Sequence, residues 1–257
     1  MKEVTQEQLV ETFRALGLQA GDGLLVHSAL QFLGWPVGGI NIYLEALAEV
    51  IGLDQGTLAV PAFNFGFAKG IPFDPQTTPS TGMGQFSELV RQQPGTRRTC
   101  HPLQSLAVLG KYAEELAGRD TPSAFDPGSA FDRMIELKFK ILLLGADIDA
   151  VSLIHYCEQR LGVPYRYWKD FTGLVKIADS WQQRTYRMYV RDLVLDPHLT
   201  LHPVRNALLE NGLFHSVGLN YGLVSLLDMT DLVTYINRFL STDPYSLLAR
   251  PLNPPAG

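Results

Sequence analysis

A cluster of chemically versatile side chains surrounds His101. The segment 97–105 reads RRTCHPLQS and combines two arginines, two hydroxyl side chains and one histidine. A neutral imidazole, whose unperturbed pKa is about 6.5, can act as a general base near neutral pH, and an arginine can bind an anionic group. A solvated loop in which His101 makes only local hydrogen bonds explains the same pattern.

Glu158 is the second candidate. It lies three residues after His155 in a predicted helix over 152–161, and residues at this spacing share one helix face. A carboxylate on that face can orient an imidazole or bind a cationic substrate if it points toward His101. An exposed surface glutamate is the alternative, and the sequence does not decide between them.

Two loops rich in Gly, Ser and Thr, at 27–39 and 77–84, precede predicted helices. Backbone N–H groups at helix N-termini bind anions, although Ser and Thr also act there as ordinary helix caps. The chain has no GxxxxGK[ST] or GxGxxG phosphate motif, no GxSxG nucleophile elbow and no HExxH zinc motif. These absences disfavour a classical nucleotide fold, a serine hydrolase and a metal enzyme.

Strand and helix patterns alternate along the chain. Thr5 and Gln8 form a capping box at the start of an opening helix, and apolar runs at 24–27, 57–60, 105–109 and 141–144 predict strands. Helices are predicted at 40–51, 85–91, 111–117, 204–210 and 229–240. The sequence predicts one α/β domain over 1–257, with a mixed, mostly parallel central sheet covered by helices on both faces. An antiparallel hairpin insertion is predicted at 171–190 and a frayed tail at 252–257.

Composition excludes several classes of partner. Lys+Arg 21 against Asp+Glu 26 gives a net charge of −5, and no basic stripe suits a nucleic acid. No stretch approaches eighteen apolar residues, and the N-terminus lacks the pattern of a signal peptide, so we expect a cytoplasmic protein without a membrane partner. Cys100 and Cys157 form no CxxC pair and are expected to be free thiols.

Taken in order, these segments resemble the aminoglycoside 3-N-acetyltransferase family, also called the antibiotic N-acetyltransferase family. The matching segments are GDGLLVHSAL at 21–30, LGWPVGG at 33–39, GTLAVP at 56–61, TPSTGMG at 78–84, PGTRRTCHP at 94–102, LLLG at 142–145 and HYCE at 155–158. The match is good over about 20–158 and loose over the last hundred residues. Several motifs in the right order are more specific than any one of them.

The resemblance implies transfer of an acetyl group from acetyl-CoA, a cosubstrate, to an amine by direct attack, without an acyl-enzyme and without a metal. It implies that His101 is the general base and that Glu158 is the second catalytic residue. It implies that the loops bind CoA through His27, Ser28, Ala29, Leu30, Ser80, Gly82, Met83, Arg97, Arg98 and Ser105.

The acceptor loop departs from the family pattern. At 61–70 it reads PAFNFGFAKG, with three phenylalanines and a lysine where aminoglycoside-modifying members place polar and acidic residues. Such a loop suits a sugar or nucleoside face and an anionic group. We expect an amino-sugar acceptor, either an aminoglycoside or a nucleotide-linked or biosynthetic amino sugar. The expected acceptor contacts are Phe63, Asn64, Phe65, Asp74 and His155.

Three alternatives remain open. A thioesterase or hydrolase would use His101 to activate water, and an N-acyltransferase could take another acyl-CoA and a non-sugar amine. A non-catalytic module that binds CoA or a nucleotide sugar is the third. The expected assembly is a monomer or a homodimer.

Overall fold

The computed structural model describes residues 2–250, so the tail predicted at 252–257 lies outside the described residues. The helices are α1 (Gln6–Ala15), α2 (Asn41–Ile51), α3 (Gly84–Arg91), α4 (Ala113–Ala117), α5 (Ala130–Glu136), α6 (Ile154–Leu161), α7 (His202–Glu210) and α8 (Met229–Thr242). The strands are β1 (Glu3–Val4), β2 (Gly23–Ser28), β3 (Trp35–Pro36), β4 (Thr57–Pro61), β5 (Arg97–Arg98), β6 (Leu106–Gly110), β7 (Lys140–Leu144), β8 (Arg166–Ile177), β9 (Ser180–Arg191), β10 (His215–Leu219) and β11 (Gly222–Asp228).

Within residues 2–250, the central sheet has seven strands in the order β10-β11-β7-β2-β4-β6-β5. The prediction of a mixed α/β sheet with an additional hairpin is confirmed. The expectation that the sheet is mostly parallel is wrong, because only the pairings of β2 with β4 and β7 are parallel and the other four pairings of this sheet are antiparallel. The outer strands pair antiparallel, because β10 and β11 form a tight hairpin and β6 runs back along β4.

Alternate residues of the central strands pack on opposite faces of the sheet. In β7, Leu142 and Leu144 join the core beneath α1, α2 and α3, whereas Ile141 and Leu143 join the core that α4 to α8 cover. Burial on both faces explains why this strand is apolar at nearly every position. The loops that leave the strand ends are therefore the positions left for a site.

The hairpin of β8 and β9 is a separate two-stranded ribbon, which we call the ribbon. It begins at Arg166 rather than at 171, and it turns through Ala178 and Asp179. Val175 and Tyr186 pack with Phe67, Phe73 and Leu103 in a small third core. This core holds the ribbon against the loops that follow β4 and precede β6.

Gly145 brings two loops together at the end of β7. Its φ is +70°, and a Cβ there would lie 2.6 Å from the carbonyl oxygen of Ala29. The Ala29 N–H donates to the carbonyl of Leu144 at 2.8 Å, so the loop after β2 lies directly on the end of β7.

We expect Gly145→Ala to lower the free energy of unfolding by about 2 kcal/mol or more, and Gly212→Ala by about 1 kcal/mol. Both glycines have positive φ, +70° and +68°, so both substitutions strain the backbone. Only at Gly145 would the new methyl group meet a backbone oxygen, since the space around Gly212 is open. Urea denaturation measures both losses, and equal losses would contradict the close approach of the loops.

Candidate active site

The carboxylate of Glu158 is the centre of the candidate site. Glu158 lies on α6 and is fully buried, and its Oε2 is 2.6 Å from Nδ1 of His155 and 2.8 Å from Nε of Arg166. Burial alone would raise the pKa of this carboxyl group, but the hydrogen bond from His155 and the charges of His155 and Arg166 reverse the effect and hold the pKa below its usual range. Glu158 is therefore a carboxylate at neutral pH.

The His155 imidazole lies between two cavities. In the neutral form of the ring, the contact of Nδ1 with the carboxylate of Glu158 favours the tautomer that carries the proton on Nδ1 and leaves the lone pair on Nε2. The side chain is 29% exposed, and it lines both a larger cavity of about 600 Å³ and a smaller cavity of about 290 Å³. An imidazole oriented in this way can accept a proton from a group bound in either cavity.

The larger cavity is formed by the ribbon and the loops facing it. Its wall combines aromatic, aliphatic and basic side chains, of which the main ones are Phe65, Leu103, Arg166, Tyr167, Lys169, Phe171, Met188 and Arg191. The cavity is large enough for a small molecule with one or two rings.

The smaller cavity lies at the ends of β2 and β4, between the residue before α3 and the loop that leads from β7 to α6. It contains four predicted site residues besides His155, namely His27, Phe63, Phe65 and Met83, together with Asp149 and Ser152. His27 is buried, burial lowers its pKa to about 4, and its Nε2 has no hydrogen-bond partner among residues 2–250. A neutral imidazole is therefore available beside this cavity.

His101 has different surroundings. The side chain is 4% exposed, its Nδ1 accepts the N–H of Gln104 at 3.2 Å, and its Nε2 lies 3.3 Å from the carbonyl oxygen of Arg187. Burial lowers its pKa to about 4. Both ring nitrogens are thus occupied by backbone groups, and His101 lines neither the larger nor the smaller cavity. These contacts do not favour the expected arrangement, in which the carboxylate of Glu158 orients the imidazole of His101.

Several other predicted site residues stabilise the loops through hydrogen bonds and ion pairs. The buried Arg98 donates to Ser105 Oγ at 3.0 Å and to the carbonyl oxygens of Thr78 and Ala62. Arg97 pairs with Glu114, and Asp74 pairs with Lys176. Asp74, Arg97 and Arg98 border a separate cavity of about 320 Å³ that does not include His155.

The loop before α3 is held by its own polar contacts. Ser80 binds Glu88 through both its N–H and its hydroxyl group, and the hydrogen bonds from Arg91 lower the pKa of Glu88. Asn64 donates to Pro79 O and to Thr81 Oγ, so it braces this loop rather than facing a cavity. Gly82 follows with a φ of +75° and open space around it.

The loop after β2 contributes backbone more than side chains. Ser28, the last residue of β2, pairs with Gly145, and its hydroxyl oxygen lies beside Gly84 at the start of α3. Ala29 lies against β7, and a short 3-10 turn follows over Leu30–Phe32. The two loops predicted to bind CoA are therefore neighbours in the fold.

The structure adds residues that sequence reasoning missed. Arg166, Lys169 and Arg191 of the ribbon and Asp149 after β7 line the cavities around His155. The alternating pattern of 171–190 predicts the ribbon, but it does not indicate that the ribbon covers the ends of the sheet. Arg166 and Lys169 precede that pattern, so no local signal identified them.

Asp147, Asp149 and His202 bring three potential metal-ligand atoms within 4.8 Å of one another. Their contacts link the loop after β7 to the start of α7. Asp149 accepts the N–H of Leu201, and His202 Nε2 lies 2.9 Å from Asp147 Oδ1. These hydrogen bonds explain why the three side chains lie close together.

Comparisons with known proteins identify relatives of similar sequence and solved structures of the same fold. The aminoglycoside N(3)-acetyltransferase III of Salmonella sp is 26% identical over 270 residues, which cover 93% of this chain and 94% of the relative. The aminoglycoside N(3)-acetyltransferase VIII of Streptomyces fradiae is 31% identical over 203 residues, covering 72% and 71%. The solved structure of AAC-IIIb in a binary complex with CoASH shares the fold with a TM-score of 0.83 at 24% identity, covering 94% of this chain and 97% of that one.

The fold and these relatives define the chain as an acyltransferase. More specifically, the family model described as aminoglycoside 3-N-acetyltransferase matches residues 25–241, and the chain belongs to that family. The resemblance drawn from the sequence motifs is thereby confirmed.

A search of the described residues for a helix long and apolar enough to cross a membrane finds none.

We expect the free energy of unfolding to fall as the pH decreases from about 6.5 to about 4. The pKa of His27 and that of His101 are each lowered to about 4 in the folded protein, so the unfolded chain binds a proton at each in this window while the folded chain does not. Each histidine contributes up to about 1.4 kcal/mol per pH unit.

His101→Asn tests this directly, because an asparagine oxygen can accept the Gln104 N–H without binding a proton. Urea denaturation at pH 7.5 and pH 5.0 should show a smaller loss of stability for this variant than for the wild type. His215→Asn, at an exposed position on β10, is the control and should keep the wild-type pH dependence. An unchanged loss in His101→Asn would refute the burial of a neutral imidazole.

Proposed function

We propose that the protein transfers the acetyl group of acetyl-CoA to the amine of an amino sugar by direct attack, with His155 as the general base. The observation that carries the proposal is the position of His155, bound to buried Glu158 and lining two cavities at once. An acyl transfer between two substrates needs a proton acceptor that reaches both of them.

The family supports the substrates. The relatives are named for acetylation of an aminoglycoside amine, and AAC-IIIb, which has the same fold, binds CoASH. We assign the acetyl thioester to the smaller cavity, since His27 and Met83 there belong to the loops expected to bind CoA. The acceptor amine then occupies the larger cavity beside the ribbon.

The chemical steps follow from the orientation of the imidazole. The amine nitrogen attacks the thioester carbonyl while Nε2 of His155 accepts a proton from it. Glu158 stabilises the resulting imidazolium through Nδ1–H. The tetrahedral intermediate then breaks its C–S bond, and His155 returns the proton to the CoA thiolate, giving an amide and free CoA.

His101 was expected to be the base, and its contacts support a different role. A base must have a free nitrogen within reach of the reacting group. In His101 both nitrogens are in contact with backbone groups, whereas in His155 Nε2 is not engaged by Glu158. We therefore assign the base to His155, and we assign to Glu158 the orientation of His155, whereas the sequence led us to expect that Glu158 orients His101 or the amine.

We expect His155→Ala to lower kcat by about 10²–10⁴-fold and to leave the Kd for acetyl-CoA within about threefold of the wild-type value. His101→Asn, which keeps the contact with the Gln104 N–H, should retain kcat within about threefold when its folded fraction is matched to the wild type. Release of CoA thiol in the presence of an amine measures kcat, and calorimetry measures the Kd.

A loss of kcat in His101→Asn as large as that in His155→Ala would contradict the assignment. Thiol release that is independent of any added amine would instead indicate a thioesterase.

A further inference from the structure

The larger cavity carries charge of only one sign. Its charged side chains are Arg166, Lys169 and Arg191, and no aspartate or glutamate is found among its described lining residues. The nearby Glu158 is buried behind the wall of the cavity, and its carboxylate contacts His155 and Arg166. A ligand in this cavity therefore meets positive side chains without acidic ones.

Two of the three positive charges have no carboxylate partner. Arg166 is compensated by Glu158 at 2.8 Å. For Lys169 and Arg191, no carboxylate oxygen of residues 2–250 lies within 4.0 Å of the charged nitrogens. Elsewhere on the ribbon, Arg187 pairs with Asp170 and Lys176 pairs with Asp74, whereas Arg184 donates a hydrogen bond to Gln182.

The acidic residues that follow Arg191 in the chain bind other groups. Asp192 accepts the N–H of Val194, and Asp196 binds His198 and Arg250. The hydrogen bond from His198 lowers the pKa of Asp196, and the charges of Arg250 and Arg191 add to this effect, so Asp196 balances part of the charge of Arg191 without forming an ion pair with it. Lys169 and Arg191 are exposed and remain available to a ligand.

The rest of the wall suits a ring. Register pairs Lys169 with Met188 and Tyr167 with Val190, and these four side chains line the cavity together with Phe171. Aromatic faces of this kind pack against sugar or nucleoside rings. The wall thus offers apolar surface for a ring and two positive charges for a substituent on it.

We infer that the acceptor of this enzyme carries an anionic group, a phosphate or a carboxylate, in addition to its amine, and that Lys169 and Arg191 bind that group. The inference rests on the proposed function, because it assigns the larger cavity to the acceptor. An aminoglycoside carries several ammonium groups, and each of them would face a cavity whose charged side chains are all positive. An anionic amino sugar compensates Lys169 and Arg191 and places its amine in the cavity that His155 lines.

The phosphates of CoA are a less suitable occupant. The pantetheine arm holds the phosphates far from the thioester, and the thioester must reach His155 for the reaction. A cavity that directly adjoins His155 therefore receives the acyl end of the donor or the acceptor itself, rather than the phosphates.

Glucosamine, glucosamine 6-phosphate and muramic acid test the inference, because they share the ring and the amine and differ in their charged substituent. Calorimetry on His155→Ala saturated with CoA should give a Kd at least about tenfold lower for one of the two anionic sugars than for glucosamine. The preferred one identifies the anion as phosphate or carboxylate. Equal or weaker binding of both anionic sugars, or tighter binding of kanamycin, overturns the inference.

Lys169→Gln and Arg191→Gln should each raise the Kd of the preferred sugar about tenfold and leave the Kd of acetyl-CoA within about twofold. Arg184→Gln is the matched control, since it removes a positive charge from an exposed ribbon position outside the cavity, and it should change neither value. A weakened Kd for acetyl-CoA with an unchanged Kd for the sugar would assign the two cations to CoA and overturn the inference.

Turnover separates this inference from the proposed function. Wild-type enzyme with saturating acetyl-CoA should release CoA thiol with a kcat/KM at least about tenfold higher for the preferred sugar than for glucosamine. If the anionic sugar binds as expected but no probe is acetylated, the proposed function fails for these amines while the anion site stands.

Discussion

One buried carboxylate holds the two halves of the site together. Glu158 on α6 contacts His155 on its own helix and Arg166 at the start of the ribbon, both through Oε2. A buried charge that loses its partners costs several kcal/mol, so His155 on α6 and Arg166 on β8 together stabilise the ionised Glu158. The contact that orients the imidazole therefore also fixes the wall of the larger cavity, and the chemistry and the acceptor wall cannot be varied independently.

His101 anchors the ribbon at its other strand. Its Nε2 contacts the carbonyl of Arg187 on β9, and the ring of Tyr186 lies edge-on at a centroid distance of 5.0 Å. His101 and His155 differ in whether one ring nitrogen remains free. Both nitrogens of His101 are used by the fold, whereas His155 gives one nitrogen to Glu158 and keeps the other. A histidine in a motif can thus serve the fold, by contacting the ribbon, rather than the chemistry of the site.

Local signals in the sequence predicted much of the fold, and long-range contacts determined the rest. The capping box of Thr5 and Gln8 involves residues only three positions apart, so the sequence alone predicts the start of α1. Strand β11 was missed because its short apolar run leads directly into α8, and periodicity does not separate such a strand from a helix. Which histidine has a free nitrogen depends on a carbonyl 86 residues away from His101, and no spacing rule reaches that far.

Net charge also fails to predict the local field. The chain carries −5 overall, yet the charged residues that line the larger cavity are all positive, and two of them, Lys169 and Arg191, have no carboxylate oxygen of residues 2–250 within 4.0 Å. The motifs that carry the family resemblance end at Glu158, whereas both of these residues follow it. The family model spans both regions, and under the proposed function the motifs bear on the donor and the reaction whereas the ribbon bears on the charge that an acceptor meets. Membership of the family assigns acyl transfer to this chain, and the proposal for its acceptor comes from the charges of the ribbon.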